Sequence, residues 1–202
     1  MFGLPSTTEV EQVLPKAGFY RNMDLDARIK KQFVSNVGRI VITNVIRPDT
    51  CNLADGFRAH EIFVIVVEPK GGGVSEAVVR TILRATPNRI VVVDGATGVV
   101  WAKGPSGTIR SDGLEEFRLN GRNLDEAWDS ILAQVALRED DGVNVAERIK
   151  RSEAIEALER EVTTLERKCR RERQIARRNE LFAKLRNKRR ELDALRKGEA
   201  HG

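Results

Sequence analysis

From Val145 to Lys197 the chain contains no glycine and no proline. Nothing in that stretch breaks a helix, and most of it is Leu, Ala, Glu, Lys and Arg, which favour one. A helix of ~50 residues would extend ~75 Å at ~1.5 Å per residue, far beyond the width of a small domain. The chain therefore divides. A head spans residues 1–140, a charged hinge spans 141–146 after Arg138-Glu139-Asp140-Asp141-Gly142, and a helical tail spans 147–202.

The tail carries two apolar seams. Ile155, Leu158, Val162, Leu165 and Cys169 alternate in steps of three and four, which is an a/d seam. The same register then meets Glu172, Ala176 and Asn179, which are poor core residues. Leu181, Leu185, Lys188, Leu192 and Leu195 form a second seam, displaced from the first. The break falls in Arg167 to Arg178 (RKCRRERQIARR). Two structures fit. One is a continuous helix with a stutter, pairing with a second copy through Ile155, Leu158, Val162, Leu165, Leu181, Leu185, Leu192 and Leu195. The other is a hairpin that reverses near Arg173 to Asn179 and packs the seams on each other. The absence of Gly and Pro tips the balance to the continuous helix, and so to a homodimer.

Charge follows the same division. Of the formal net charge of +5, residues 1–146 hold 17 Lys/Arg against 19 Asp/Glu, and residues 147–198 hold 18 against 10. A near-neutral head with a basic tail suits a polyanionic partner or an acidic protein groove. Arg167, Lys168, Arg170, Arg171, Arg173, Arg177 and Arg178 are the candidates for phosphate contact. No aromatic is interleaved with them, so stacking on single strands is not indicated. The second seam is too short, and too interrupted by Lys188, for a basic-region zipper. The plain competing reading is a helix with charged outer faces in water.

The head reads as mixed α/β. Thr7 or Thr8 caps an expected short helix, Glu9 to Leu14, ended by Pro15. Asp24 precedes a second, Leu25 to Val37, with Leu25, Ile29, Phe33 and Val37 on one side. Strands are expected at Arg39 to Ile46 and at His60 to Glu68, where Ile62 to Val67 is apolar throughout, as in a strand covered on both faces. Gly71-Gly72-Gly73 turns into a helix capped by Ser75 and running to about Ala85. A strand at Arg89 to Asp94, a hairpin partner at Val99 to Lys103 and a short edge strand at Thr108 to Arg110 follow. Asn123, with Glu126 three residues on, starts a last head helix. This order predicts a small mixed sheet with flanking helices, followed by a long C-terminal helix or helical hairpin with coiled-coil character.

Catalytic signatures are sparse. Cys51 and Cys169 lie in different segments, and His60 and His201 are far apart, which argues against a metal site of His and Cys. The first residues lack a signal-peptide pattern, and no apolar run approaches the ~20 residues that span a membrane, so a cytoplasmic protein is expected. Asp49 after one strand and Glu68 with Lys70 after the next resemble the pattern of PD-(D/E)XK nucleases, in which two carboxylates hold Mg²⁺ and the lysine supports the attacking water. Pro69, the one residue between Glu68 and Lys70, ends the strand where the pattern expects it to continue. The glycines read as a turn, since neither a Gly-Lys-Ser/Thr nor a GxGxxG pattern is present. Ser75 has no histidine partner in sequence. Tyr20, Trp101 and Trp128 read as packing residues.

Several short stretches together resemble the bacterial domain-of-unknown-function 4391 family. They are Met1-Phe2-Gly3-Leu4-Pro5, Pro15-Lys16 with Phe19-Tyr20, and Thr43-Asn44 leading to Thr50-Cys51-Asn52-Leu53. Ile82 to Val93, Asn123-Leu124-Asp125, and the tail from Leu165 through Glu172-Arg173-Gln174 to Leu181 complete the set. The resemblance implies no activity. It implies an accessory protein encoded near helicases and DNA methyltransferases, in restriction-like or mobile-element settings. The leading expectation is a non-catalytic adaptor of a DNA-processing or defence-type assembly, with no cofactor. Its partner would be a helicase or methyltransferase, and its basic tail would contact protein or DNA. The alternative is a Mg²⁺-dependent nuclease using Asp49, Glu68 and Lys70.

Overall fold

A computed structural model describes residues 2–199, with the side chains of Tyr20, Asn22 and Glu199 outside the description. His201 also lies outside the described residues. The chain divides into two compact units that meet between Ala146 and Glu147.

The first unit is built on one six-stranded sheet, ordered as in the sequence. The strands are β1 (Glu9–Val13), β2 (Val37–Ile46), β3 (Ile62–Pro69), β4 (Arg89–Asp94), β5 (Val100–Lys103) and β6 (Thr108–Ser111). Neighbours run antiparallel except β3 and β4, which are parallel. That pair needs a crossover, and Glu76–Arg84 supplies it as a helix. The helices of this unit are α1 (Lys16–Asn22), α2 (Ala27–Asn36), α3 (Pro48–Cys51), α4 (Glu76–Arg84) and α5 (Leu124–Leu137). Phe33 of α2 and Val78, Val79 and Ile82 of α4 join Ile40, Ile65, Val67 and Val92 of the sheet in one core. On the other side, α5 lies against β5 and β6. Ile90 to Val93 of β4 are thus buried on both faces, whereas Val66 of β3 is half-buried on a face left open beside Val41 and Thr43.

Three expectations for the head need correction. Residues 9–13 form a strand, not a helix. β2 offers them a free edge, with Glu9 opposite Asn44 and Val13 opposite Val41, and that pairing outweighs local helix propensity. The N-cap of α2 is Asp26, whose Oδ1 accepts from the Arg28 N–H at 2.6 Å, rather than Asp24. The expected hinge is packed. Arg138 closes α5 in the left-handed conformation, and Ser130 Oγ donates to the Asp140 carbonyl at 2.7 Å. A Cβ at Gly142 would sit 2.6 Å from the Ser130 backbone nitrogen, so only glycine fits that approach.

The tail is not one helix. α6 (Val145–Arg171) and α7 (Ile175–Glu199) flank a three-residue turn, Glu172–Gln174. Ion pairs between α6 and α7 show that the chain reverses there. Arg196 meets Glu159 at 2.5 Å, Arg189 meets Glu166 at 2.7 Å and Lys188 meets Glu161 at 3.3 Å. In this antiparallel register Ile155 stands level with Leu195, Leu158 with Leu192, Leu165 with Leu185 and Cys169 with Leu181. The displaced second seam is therefore the in-register complement of the first, read backwards. The continuous helix is replaced by the hairpin, and the residues assigned to a homodimer seam face one another within one chain. Lys188 falls opposite Val162 and turns its amine out to Glu161 and Glu191. Those two carboxylates hold its ammonium above the usual lysine range.

Candidate functional site

The turn that closes the hairpin contains no glycine or proline. Glu172 makes it possible by continuing the helical pattern, its N–H donating to the Lys168 carbonyl at 3.0 Å. Its carboxylate then accepts from the Gln174 N–H at 2.9 Å, placing negative charge at the start of α7, where the helix dipole favours it. The Gln174 carbonyl accepts from the Arg178 N–H at 2.9 Å and opens α7.

Reversal at this point gathers charge. Arg167, Lys168, Arg170 and Arg171 end α6, Arg173 sits in the turn, and Arg177 and Arg178 begin α7. All seven are exposed. Among the described residues none of them is ion-paired to a carboxylate. Residues 167–190, the closed end, hold twelve Lys/Arg against two Glu, a net +10. The open end reverses the sign: residues 147–166 hold four against six, and residues 191–199 hold two against three. The carboxylates that neutralise arginines inside the hairpin, Glu159 and Glu166, stand away from the turn. Cations at the end of α6 are favoured by its dipole, but so many like charges side by side repel one another until an anion joins them.

The other candidates do not assemble. Asp49 follows β2 and is held by Arg47, with Nε to Oδ1 at 3.2 Å. Glu68 sits at the far end of β3, 3.8 Å from Arg39. Because Ile62 pairs with Ile46 and Glu68 with Arg39, the length of β3, roughly 20 Å at ~3.3 Å per residue, separates the two carboxylates. Lys70 donates to the Val34 carbonyl at 2.7 Å. Asp49, Glu68 and Lys70 therefore do not share a metal position, which corrects the nuclease pattern. Among the described residues no group of three or more His, Cys, Asp and Glu is placed to hold a metal.

The glycine turn is filled by the protein itself. Asp94 is buried at the end of β4, and its carboxylate accepts from the N–H groups of Val74, Ala96 and Thr97 at 2.7, 2.9 and 3.2 Å. Ser75 caps α4 and donates to Gln32 at 2.7 Å. His60 Nδ1 lies 3.0 Å from both oxygens of Asp55, on an exposed loop. Trp101 and Trp128 are buried.

One feature escaped the sequence. Asp125, in the first turn of α5, accepts the backbone N–H groups of Phe57, Arg58 and Ala59 at 2.8–2.9 Å. Burial pushes its carboxyl up, but the three donors and the Arg58 guanidinium outweigh that and leave it below the usual carboxylate range. Arg58 also reaches Asp129 at 2.8 Å. The loop is thereby fixed with Phe57 at its tip, 93% exposed. The Asp-Gly-Phe-Arg stretch alone gives no hint of a carboxylate 68 residues away.

Residues 2–100 and 91–192 match the model of a family described as Domain of unknown function (DUF4391). The chain belongs to the DUF4391 family. The matched residues include all six strands of the head and reach into α7 of the hairpin. No curated protein and no solved structure matches the chain.

Proposed function

We propose that this DUF4391 member is a non-catalytic, cytoplasmic accessory protein of a DNA-processing or defence-type assembly, whose hairpin engages phosphates at its closed end. The observation that carries the reading is the juxtaposition of Arg167, Lys168, Arg170, Arg171, Arg173, Arg177 and Arg178 by the turn, exposed and without carboxylate partners. Guanidinium groups suit phosphate because their planar forks meet two oxygens at once. With no aromatic among these seven, the surface fits the backbone of a duplex rather than stacked single-strand bases. The head supplies the other contact of an adaptor, and the fixed loop bearing Phe57 is the apolar knob best placed for it. A helicase or methyltransferase as the protein partner follows from the family resemblance.

Affinity for a mixed-sequence duplex, followed by fluorescence anisotropy over a salt series, tests this. Seven phosphate contacts give a slope of about −6 in log K against log salt. Changing Arg167, Arg170, Arg171, Arg177 and Arg178 to Gln lowers the slope by about 4 to 5 units. No binding at low salt overturns the nucleic-acid part. Plasmid DNA is expected to stay intact with Mg²⁺. Cleavage that disappears in Glu68→Ala would overturn the non-catalytic part.

A further inference from the structure

The inner seam of α7 is not its only one. Ile175, Asn179, Phe182, Arg186, Arg189 and Asp193 also recur in steps of four and three, forming a second line along the same helix. Except for Ile175 at its start, this line borders an open groove of about 1260 Å³ along the hairpin, floored by Cys169 and Leu185. Its two large apolar members are bare, Ile175 67% and Phe182 51% exposed. On α6, Ile155, Leu158, Val162 and Leu165 are only half-buried despite their partners across the hairpin. Two antiparallel helices cover one line on each other and leave the flanks of that line open. A third helix in the groove covers both.

The line has a direction. Near the turn it is apolar, with Ile175 and Phe182. Beyond Phe182 it becomes cationic, with Arg186 and Arg189, before it ends at Asp193, and Arg178 (near the turn) and Arg190 also border the groove. Of these four, only Arg189 is paired, to Glu166. A second copy of α7 does not complement this pattern, because pairing Asp193 with Arg186 would set Phe182 against the basic Arg196-Lys197 end. Laid parallel, it sets Arg186 against Arg186. Laid antiparallel about Phe182, it sets Arg189 against Ile175 and Arg186 against Asn179, with no carboxylate opposite either arginine.

We infer that the groove between α6 and α7 is the docking site for an amphipathic helix of a partner protein, apolar where it meets Phe182 and, past the end of the groove, Ile175, and acidic where it meets Arg186 and Arg189. The partner helix runs antiparallel to α7, which places its carboxylates in its own N-terminal half, where its dipole favours them. This rests on the adaptor reading above, adds a protein contact on the hairpin to that of the Phe57 loop, and names its chemistry. The groove adjoins the phosphate-binding surface, sharing Arg170 and Arg178 at its rim, but Phe182 and Arg186 are not among the seven residues assigned to phosphate.

The test uses the full chain and a synthetic helical peptide of about three heptads, with Glu facing Arg186 and Arg189 and Leu facing Phe182 and Ile175. Saturable binding is expected, weakened at least about tenfold by Phe182→Ser. Arg186→Glu abolishes it, and replacing Glu by Lys in the peptide restores it. Phe182 and Arg186 are exposed, so the hairpin persists in both variants, which circular dichroism checks. Absence of peptide binding, or binding indifferent to Phe182→Ser, overturns the inference. So does a dimer that Phe182→Ser dissociates, since the occupant is then a second copy. Duplex affinity is expected to be unchanged in Phe182→Ser, and a parallel loss would make the groove a nucleic-acid surface and overturn it too. Failure of the peptide with duplex binding intact rejects the groove alone. Failure of duplex binding with the peptide bound rejects the phosphate reading alone.

Discussion

In the head, Phe33, Ile40, Ile46, Ile62, Ile82 and Val91 have lost essentially all contact with water, whereas between residues 150 and 199 Cys169, Leu185 and Leu192 are the buried apolar side chains among those described. The head closes its core between the sheet and α2 and α4 on one side, with α5 against β5 and β6 on the other. The hairpin has one seam, bracketed by ion pairs that are half in water. A closed core leaves little for a partner to complete. A two-helix hairpin leaves bare apolar positions and a dense field of charge. Elements of low local stability and unsatisfied surface are the ones recruited to binding. The difference between the units is thus also a division between a closed scaffold, whose most exposed apolar point is the Phe57 loop, and a broad contact surface.

Phe33→Ala is the severest challenge to that division. Phe33 is fully buried and stacks on Phe19 with ring centroids 5.7 Å apart. Its loss should cost the head about 3–5 kcal/mol, a large share of the stability of an ordinary domain. Amide exchange should accelerate throughout residues 27–94 while α6 and α7 keep their protection. Equal loss in the hairpin would show that the units are not independent.

Leu185→Ala strikes the other unit. Its seam is open on both flanks, so about 2–3 kcal/mol is expected, at the lower end for such a truncation. Exchange should rise in α6 and α7 and not in the sheet.

Asp125→Asn sharpens the comparison inside the head by loosening a contact loop without opening the core. Weakened contacts to three backbone donors cost about 2 kcal/mol locally, read as faster exchange at Phe57, Arg58 and Ala59. Acid should act similarly. The folded carboxyl lies below its ordinary value, so its stabilisation is complete above roughly pH 4 and is lost as pH falls through the lowered value. Loop protection already fully lost at roughly pH 4, the ordinary carboxylate value, would contradict the shift. The smallest effect belongs to Arg196→Gln, since both partners of that ion pair are about half exposed. Under about 1 kcal/mol is expected in thermal unfolding, and less at high salt.

The sheet was largely legible because its signals are local and strong. Ile62 to Val67 and Ile90 to Val93 are unbroken β-branched and apolar runs, and Ser75 and Asn123 are side-chain caps next to the helices they open. Residues 9–13 read as a helix in the sequence because their strand exists only through the edge of β2, more than 20 residues away. The hairpin turn was obscured because it uses Glu172 and Gln174 in place of a helix breaker. The register break already contained the answer, since only an antiparallel pairing brings Ile155 to Leu195 and Cys169 to Leu181 together. Of the site residues, the basic cluster was visible in composition. Its concentration at one end, and the Asp125 clasp on the Phe57 loop, depend on long-range geometry.

The central claim is that reversal at Glu172–Gln174 makes the charged end. Spin labels at Arg160→Cys and Arg190→Cys, with Cys51 and Cys169 replaced by Ala and labelled chains diluted in unlabelled ones, test it most directly. The hairpin places these exposed positions level with each other, so a distance set by helix spacing of ~10 Å plus the label tethers is expected. A separation of ~45 Å, the length of thirty residues of unbroken helix, would contradict it.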